Sequence, residues 1–325
     1  MKVALLLGGV LLLVNACIEL DQDSTEEAQI NADLSSPTSP HCSHDAPANY
    51  DFIIGQSYFG QNNWIEYIPG SLPIIISAPH GGELTPPEVP IYNDGLARDG
   101  GSQEYARAVA QSLFNLTGKY PHLIINHLAR NRLNLNRAQI DDNHENPLAM
   151  VAWNEFHNFI SSAKDWVSQA CGKGLYFDFH TNGHDHGYNE LGYLLSRNEL
   201  NEADSIINNL ANNSSLNHLA SEDAHLLSEL VHGEMSLGNI LNEQYQLLTI
   251  PNAINIPFNH DYFTGGYNTR THGSIDGGVI DGIQIESHFN FVNSGEDTRL
   301  DYSLKLSQGI FKFVQHWYGF DLKSL

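Results

Sequence analysis

Basic residues are scarce in this sequence. Its 325 residues include 15 Lys and Arg against 38 Asp and Glu, which gives a formal net charge of -23. A chain with this balance lacks the basic surface that displaces the counterions of nucleic acids or holds anionic lipid headgroups. Disorder of the chain as a whole is excluded as well, because 41% of the residues are hydrophobic and only 16% are charged. The composition therefore predicts a folded protein that does not bind nucleic acids.

Cysteine is equally rare, with only three residues of this type. None of them forms a Cys-x-x-Cys pair, which argues against the usual cysteine-based zinc sites. Cys42 and Cys171 can form a disulfide in an oxidising compartment, and two free thiols are the open alternative. Histidine, in contrast, is abundant, because 17 His outnumber the 15 Lys and Arg. This surplus points to metal sites that are built from imidazole groups.

The apolar run at the N-terminus is too short to cross a bilayer well. Lys2 precedes about a dozen mostly apolar residues, which is the layout of a secretory signal. The run ends in Val14-Asn15-Ala16-Cys17, which resembles a bacterial lipobox and implies a lipid on Cys17. We expect a signal peptide over 1–16 and an exported protein, anchored by lipid alone and facing the periplasm or the cell surface. An ordinary secretion signal that is cut nearby is the alternative.

Residues 17–49 are polar and acidic, with a Ser/Pro-containing stretch at 35–40. Few apolar residues and several prolines leave this segment without a core, so we interpret it as a tether. Over 50–325, apolar runs of strand length alternate with helical patterns, and no internal repeat occurs. We predict a single α/β domain there, with a mixed, largely parallel central sheet flanked by helices. Ligands in such folds bind beyond the carboxyl ends of the strands.

Apolar periodicity predicts where the elements of this domain lie. Pro147 suits the first turn of a helix. Buried strands are expected at 74–78, 122–128, 175–179, 193–195 and 283–285, and helices at 102–116, 147–170, 222–241 and 302–318.

Polar residues gather at the ends of two predicted strands. His80 and Glu83 follow the first strand and are three residues apart, so one turn can aim both at a single point as a partial zinc set. His180 lies at the end of another strand and could complete a His/Glu/His set with an open fourth position. The alternative is a hydrogen-bonded core histidine. Asp178 precedes it by two residues and could orient a ligand from behind or pair with an arginine.

Arginines and one glutamate mark two further strand ends. Arg130, Arg132 and Arg137 fall within eight positions of a very acidic chain. Arginine forks bind carboxylates in a bidentate manner, and salt bridges to the acidic surface are the alternative. Glu286 ends an apolar strand, where a carboxylate would be desolvated without a positive or metal-bound partner. Glu286 is therefore a candidate general base.

Together, these clusters resemble the N-formylglutamate amidohydrolase family, a branch of the fold shared with zinc carboxypeptidases. The resemblance covers about 74–287, and its motifs occur in the family's order. The sequence departs from the family's pattern in two places, with Asn134 in place of Asp and Gly81 in place of Ser. The matching segments are Ser77-Ala78-Pro79-His80-Gly81-Gly82, Asn134-Leu135-Asn136-Arg137, Asp178-Phe179-His180-Thr181, Gly265-Gly266-Tyr267 and Gln284-Ile285-Glu286.

The resemblance implies a role for each of these residues. One zinc ion per chain would be bound by His80, Glu83 and His180, and Glu286 would be the general base for a water that zinc activates. Arg132 or Arg130 would polarise the scissile carbonyl of the substrate. Asn136 and Arg137 would hold a carboxylate of the substrate. Tyr267 and Arg270 would contact the substrate from a mobile loop.

The function expected from these observations is hydrolysis of an amide bond in a small carboxylate-bearing substrate by a monomer. Predicted export separates this protein from formylglutamate degradation, which is cytoplasmic, so another amide is expected. A metallocarboxypeptidase that trims peptides, including those of the cell wall, is the first alternative. A surface lipoprotein that binds ligands without catalysis is the second. The loop with His184 and His186 is expected to line the pocket, with a second metal contact as its alternative.

Overall fold

The computed structural model describes residues 42–43, 50–139, 146–222, 226–257 and 261–325. The expected signal peptide, the lipobox at Cys17 and nearly all of the tether lie outside these ranges. In the part of the chain that is described, no helix is both long and apolar enough to span a membrane. Cys42 is joined to Cys171 by a disulfide, which is one of the two alternatives that the sequence left open.

One mixed sheet of eight strands organises the described residues. The strands are β1 (Tyr58–Phe59), β2 (Ile65–Ile68), β3 (Ile74–Ala78), β4 (His122–Asn126), β5 (Gly174–Asn182), β6 (Asn189–Gly192), β7 (Thr249–Ile250) and β8 (Ile280–His288). Their order across the sheet is β1-β2-β4-β3-β5-β8-β6-β7. The central strands β4, β3, β5 and β8 are parallel, whereas β2 and β6 flank them in antiparallel orientation. The predicted α/β fold with a largely parallel sheet is confirmed.

Helices of very different lengths connect and cover these strands. In chain order they are α1 (Ser102–Thr117), α2 (Pro147–Cys171), α3 (Arg197–Leu200), α4 (Asp204–Asn208), α5 (Asn217–Ser221), α6 (Leu227–His232), α7 (Leu237–Asn239), α8 (Tyr267–His272), α9 (Phe289–Val292) and α10 (Glu296–Tyr318). A 3₁₀ turn at Ala211–Asn213 and a π turn at Ile240–Gln244 complete the described helical segments.

The two crossover helices lie on opposite faces of the sheet. The chain passes from β3 through α1 to β4 on one side, and then from β4 through α2 to β5 on the other side of β3. Because such crossovers are right-handed, opposite directions of travel place α1 and α2 on opposite faces. Helix α1 packs against α10, and Tyr105 of α1 stacks on Phe179 of β5 at 4.9 Å between ring centroids. Both faces of the central strands are thereby buried.

Most predicted elements are confirmed to within a few residues, α10 begins at Glu296 rather than at 302, and two elements differ. The strand expected at 193–195 lies earlier, at Asn189–Gly192, because Leu194 has a φ of 65° and cannot continue an extended strand. The helix expected at 222–241 is interrupted. Helix α6 ends at His232, and Gly233 adopts an extended conformation with φ -66° and ψ 177° before α7 begins.

Candidate active site

A cavity of about 410 Å³ opens where the carboxyl ends of the central strands meet. His80 follows β3 by two residues, and the parallel register pairs His180 of β5 with Glu286 of β8. The cavity is lined by Asp99, Arg130, Asn134, Asn136, Arg137, Ala138, His180, Thr181, Phe263, Gly265, Gly266, Tyr267, Gln284 and Glu286.

Three buried side chains bring potential metal ligands together at this edge. Oδ2 of Asp99 lies 2.8 Å from Nδ1 of His180 and 3.4 Å from Nδ1 of His80. The ligand atoms that the three residues offer all lie within 4.8 Å of one another. Two imidazole nitrogens and one carboxylate oxygen are a good set for zinc, and three protein ligands are the number found in catalytic zinc sites.

The remaining ring nitrogens of the two histidines are already held. Nε2 of His80 lies 2.6 Å from Oδ1 of Asn134, and Nε2 of His180 lies 2.9 Å from Oδ2 of Asp178. Both oxygens can only accept, so each Nε2 carries a proton, and in the neutral form of each ring the lone pair of Nδ1 points toward Asp99. Nδ1 of His80 is buried and has no hydrogen-bond partner among the described residues. Lone pairs that face a carboxylate require a positive charge between them, and these residues fit a divalent metal ion.

The charges of the trio support the same interpretation. Burial lowers the pKa of His80 to about 4, so this ring is neutral at pH 7. Burial acts on His180 in the same direction, but Asp178 outweighs it and raises the pKa of His180 well above its usual value. Burial alone would raise the pKa of Asp99, and the adjacent histidines instead hold it well below its usual range. In the metal-free protein, a proton on His180 therefore compensates the ionised Asp99.

Asp178 holds His180 in its orientation from a fully buried position. Its Oδ1 accepts hydrogen bonds from Oγ of Ser77 at 2.7 Å, from the Tyr176 hydroxyl at 3.2 Å and from Nδ2 of Asn268 at 3.2 Å. These donors satisfy a carboxylate that burial would otherwise protonate. Asp178 therefore fixes the orientation of the His180 ring from the side away from Asp99.

Glu286 forms part of the cavity wall beside this trio. Burial raises its pKa to about 8, and its Oε1 accepts a hydrogen bond from Nε2 of Gln284 at 2.6 Å. A carboxyl group whose pKa lies near neutrality can both accept and release a proton under physiological conditions. The position and the pKa of Glu286 therefore suit proton transfer in the cavity.

The free energy of unfolding of the metal-free protein should fall as the pH rises, and we expect a smaller fall in Glu286→Gln than in the wild type. The folded pKa of about 8 exceeds the ordinary 4.5, so between these values the folded state retains a proton that the unfolded state has lost. Stability that is present below about pH 4.5 is therefore lost toward pH 8, by up to about 1.4 kcal/mol per pH unit. Urea unfolding at about pH 5 and about pH 8 measures this difference. Equal losses in wild type and variant would contradict the raised pKa.

Glu83 does not join the two histidines. Its side chain is 76% exposed and pairs with Arg98, and Asp99 is the carboxylate that lies beside the histidines instead. Asp99 was not predicted from the sequence as a candidate ligand, because Asp99 lies in the loop before α1 rather than at a strand end. Its backbone N–H donates to the carbonyl of His80 at 3.1 Å, which brings the loop to the site. The sequence signal that could have found it is the pair of glycines that follows, since paired glycines permit a close approach of the backbone.

The three clustered arginines have different surroundings. Arg130 lines the cavity and donates through Nη1 to Oδ1 of Asp99 at 2.8 Å. Arg137 also lines the cavity, is exposed, and forms no ion pair within the described ranges. Arg132 is not among the lining residues, because its Nη1 donates to the carbonyls of Val89 and Pro86. The structure thus brings Arg130 and Arg137, but not Arg132, to the site.

The segment that precedes α8 and the first residue of α8 supply another part of the cavity wall. Oδ1 of Asn136 accepts a hydrogen bond from the backbone N–H of Asn268 at 2.8 Å. A Cβ atom at Gly266 would overlap the amide of Asn136, so a larger residue there would displace the Asn136 side chain from this hydrogen bond. Tyr267 lines the cavity as expected, whereas Arg270 is exposed on α8 and is not among the lining residues.

Comparisons with known proteins give distant structural similarities. No protein-family model matches the sequence, and a search of curated proteins finds no match. The chain is similar to a gene product from Agrobacterium tumefaciens at 13% identity, with 75% of this chain and 90% of that chain covered and a TM-score of 0.46. It is also similar to the N-formylglutamate amidohydrolase from Ralstonia eutropha JMP134 at 12% identity, with 74% and 93% covered and a TM-score of 0.41. At these values neither similarity transfers a residue role, and the chemistry rests on the site itself.

Proposed function

We propose that this chain is a metal-dependent hydrolase that cleaves an amide bond in a small carboxylate-bearing substrate, either an N-acyl amino acid or a short peptide. The observation that carries the proposal is the convergence of His80 and His180 through Nδ1 on one oxygen of Asp99, beside the buried Glu286. Export through the lipobox at Cys17 belongs to the same proposal and would place the substrate outside the cytoplasm.

His80, Asp99 and His180 would hold the metal, and zinc is the ion that best suits this donor set. Asn134 and Asp178 fix the orientation of the two rings through their Nε2 protons. A bound zinc ion supplies Lewis acidity, which lowers the pKa of a coordinated water and polarises a substrate carbonyl.

Glu286 performs the proton transfers in this proposal. It accepts a proton from the attacking water and donates it to the nitrogen of the leaving amine, which cannot depart as an anion at neutral pH. Gln284 donates to one carboxyl oxygen of Glu286 and thereby leaves the other oxygen for the water. Burial in the wall keeps the pKa of Glu286 near neutrality, so both directions of transfer are accessible.

Two arginines would recognise the negative charges of the substrate. Nη1 of Arg130 donates a hydrogen bond to Asp99, and Nε of Arg130 is buried without a hydrogen-bond partner among the described residues. We assign to Arg130, in place of Arg132, the stabilisation of the charge that develops on the carbonyl oxygen. Arg137 has no competing ion pair in the described chain, which leaves its guanidinium available for a bidentate contact with the substrate carboxylate.

Replacement of Arg137 by Ala is expected to raise KM by roughly 10- to 100-fold, with a smaller effect on kcat, because a charge-assisted hydrogen bond contributes about 1.5–3 kcal/mol. Steady-state kinetics on a zinc-loaded preparation measure this change. Arg270→Ala is the matched control, since Arg270 is also exposed but does not line the cavity. An unchanged KM in Arg137→Ala, or an equal rise in both variants, would remove Arg137 from substrate binding.

A screen of paired substrates tests the function itself. N-acyl amino acids and short peptides are each compared with the analogue whose terminal carboxylate is converted to an amide. The proposal predicts hydrolysis of the carboxylates and a loss of at least about tenfold in kcat/KM for the amides. Preference for C-terminal residues of peptides would favour the carboxypeptidase alternative. Absence of any hydrolysis by the zinc-loaded protein would overturn the proposal and favour a ligand-binding protein.

A further inference from the structure

A second group of potential metal ligands lies outside the proposed active centre. His184 and His186 occupy the loop between β5 and β6, and Glu190 is fully buried in β6. Oε1 of Glu190 lies 2.6 Å from Nδ1 of His184 and 3.2 Å from Nε2 of His186. We propose that these three residues bind a second divalent transition-metal ion, distinct from the ion at His80, Asp99 and His180. The donor set is again two nitrogens and one oxygen, which suits Zn²⁺.

The loop conformation directs both histidines toward Glu190. Gly187 has a φ of 74°, in the left-handed region that favours glycine, and reverses the chain after the two histidines. Asn182 closes the loop from inside, because its side chain accepts from the backbone N–H of His184 at 3.2 Å and donates to the carbonyl of Tyr188 at 3.1 Å. The ligand positions are therefore set by the fold rather than by chance contacts on a free surface.

The interatomic distances are close to those that zinc requires. Bonds of about 2.0–2.2 Å in a tetrahedral site place ligand atoms roughly 3.3 Å apart. The distance from Glu190 to His186 already fits, and the shorter distance from Glu190 to His184 must widen by roughly 0.7 Å on this geometry. His184 can follow, since its side chain is 22% exposed.

The charge of Glu190 also favours a cation. Within the described residues, its ion pairs are with His184 and His186 and include no Lys or Arg. Contacts of His186 must change, because the backbone N–H of Tyr188 donates to its Nδ1 at 3.0 Å and its Nε2 donates to the carbonyl of Asp261 at 3.2 Å. Metal binding through Nε2 moves the ring proton to Nδ1 and releases both of these neutral hydrogen bonds. The metal bonds formed in exchange are much stronger than the hydrogen bonds that are lost.

This second site borders the cavity without occupying it. The backbone N–H of Phe263 donates to Oε2 of Glu190 at 2.6 Å, and the Phe263 ring stacks on His184 with 4.8 Å between centroids. Phe263 lines the cavity, and the sheet register pairs Glu190 with Glu286. A metal ion at Glu190 would thus fix the wall that carries Phe263 next to the general base. His184, His186 and Glu190 are positioning residues in this inference.

Zinc binding to the purified full chain after removal of metal by chelation tests the proposal. Isothermal titration with Zn²⁺ alone should give two equivalents per chain in the wild type and one in His184→Ala. His80→Ala should also retain one equivalent, held by the second site. His316→Ala, which removes an exposed histidine from α10, is the control and should retain two. One equivalent in the wild type and none in His80→Ala would overturn the second site. So would two equivalents in His184→Ala.

A spectroscopic readout keeps the test valid if a variant is less stable. In His184→Cys loaded with Co²⁺, a thiolate bound to cobalt adds a charge-transfer absorption that an unbound cysteine does not give. We expect this absorption in His184→Cys and not in His316→Cys, and its absence from His184→Cys would contradict the proposal. Because neither readout involves turnover, the second site can fail while the proposed hydrolase activity stands, and the reverse also holds.

Discussion

Glu286→Gln is expected to lower kcat by roughly 100- to 10,000-fold while the zinc content stays unchanged. The substitution preserves the shape of the side chain and removes its ability to take a proton. Zinc should remain bound, because Glu286 is not a member of the group formed by His80, Asp99 and His180. The measurement pairs single-turnover hydrolysis of an N-acyl amino acid with elemental analysis of the same preparation.

Glu243→Gln is a suitable control for this variant, since Glu243 is exposed in the described structure and does not line the cavity. It should retain the wild-type rate. The role of Glu286 as general base would be abandoned if Glu286→Gln turned over the substrate at the wild-type rate. A loss of zinc in the same variant would instead identify Glu286 as a ligand.

Asp99→Asn should lose one equivalent of zinc per chain relative to the wild type, with affinity at that site reduced by more than about 100-fold. Removal of a residue that only hydrogen-bonds to a metal ligand lowers metal affinity by roughly 10- to 100-fold. Loss of an anionic ligand itself should lower the affinity further. The variant keeps the size of the side chain but leaves His80 and His180 without their shared carboxylate. Titration with Zn²⁺ and thermal unfolding with and without metal measure the loss and check the fold.

Glu83→Gln is the matched comparison, because the sequence pattern alone would have chosen Glu83 as the carboxylate ligand. Its side chain is 76% exposed and engages Arg98, so the variant should bind zinc as the wild type does. Zinc loss in Glu83→Gln together with full binding in Asp99→Asn would reverse the assignment and show that the loop before α1 closes differently around the metal.

Residues at strand ends were the part of the site that sequence could predict. The apolar runs at 74–78, 175–179 and 283–285 identify buried parallel strands, and parallel strands present their carboxyl ends at one edge. His80, His180 and Glu286 were therefore expected to lie together, and the structure brings His180 and Glu286 into register on neighbouring strands.

The positions of loop residues could not be predicted from strand ends, because the direction of a loop side chain depends on contacts with residues that are distant in sequence. Glu83 follows His80 by one turn, but an isolated parallel bridge between Gly82 and Ala129 carries the chain away from the histidines. Asp99 returns to them through a backbone hydrogen bond to His80. Arg132 is captured by the carbonyls of Val89 and Pro86. None of these contacts leaves a periodic pattern in the sequence.

Amide hydrolysis by one preparation, measured before and after zinc is restored, tests the central claim most directly. The full chain is stripped of metal by chelation, dialysed, and assayed for amine release from N-acyl amino acids and short peptides, with and without added Zn²⁺. We expect no measurable amine release from the stripped protein and hydrolysis after zinc is restored, with no recovery in Asp99→Asn at the same zinc concentration. Equal hydrolysis with and without zinc, or full recovery in Asp99→Asn, would contradict the central claim.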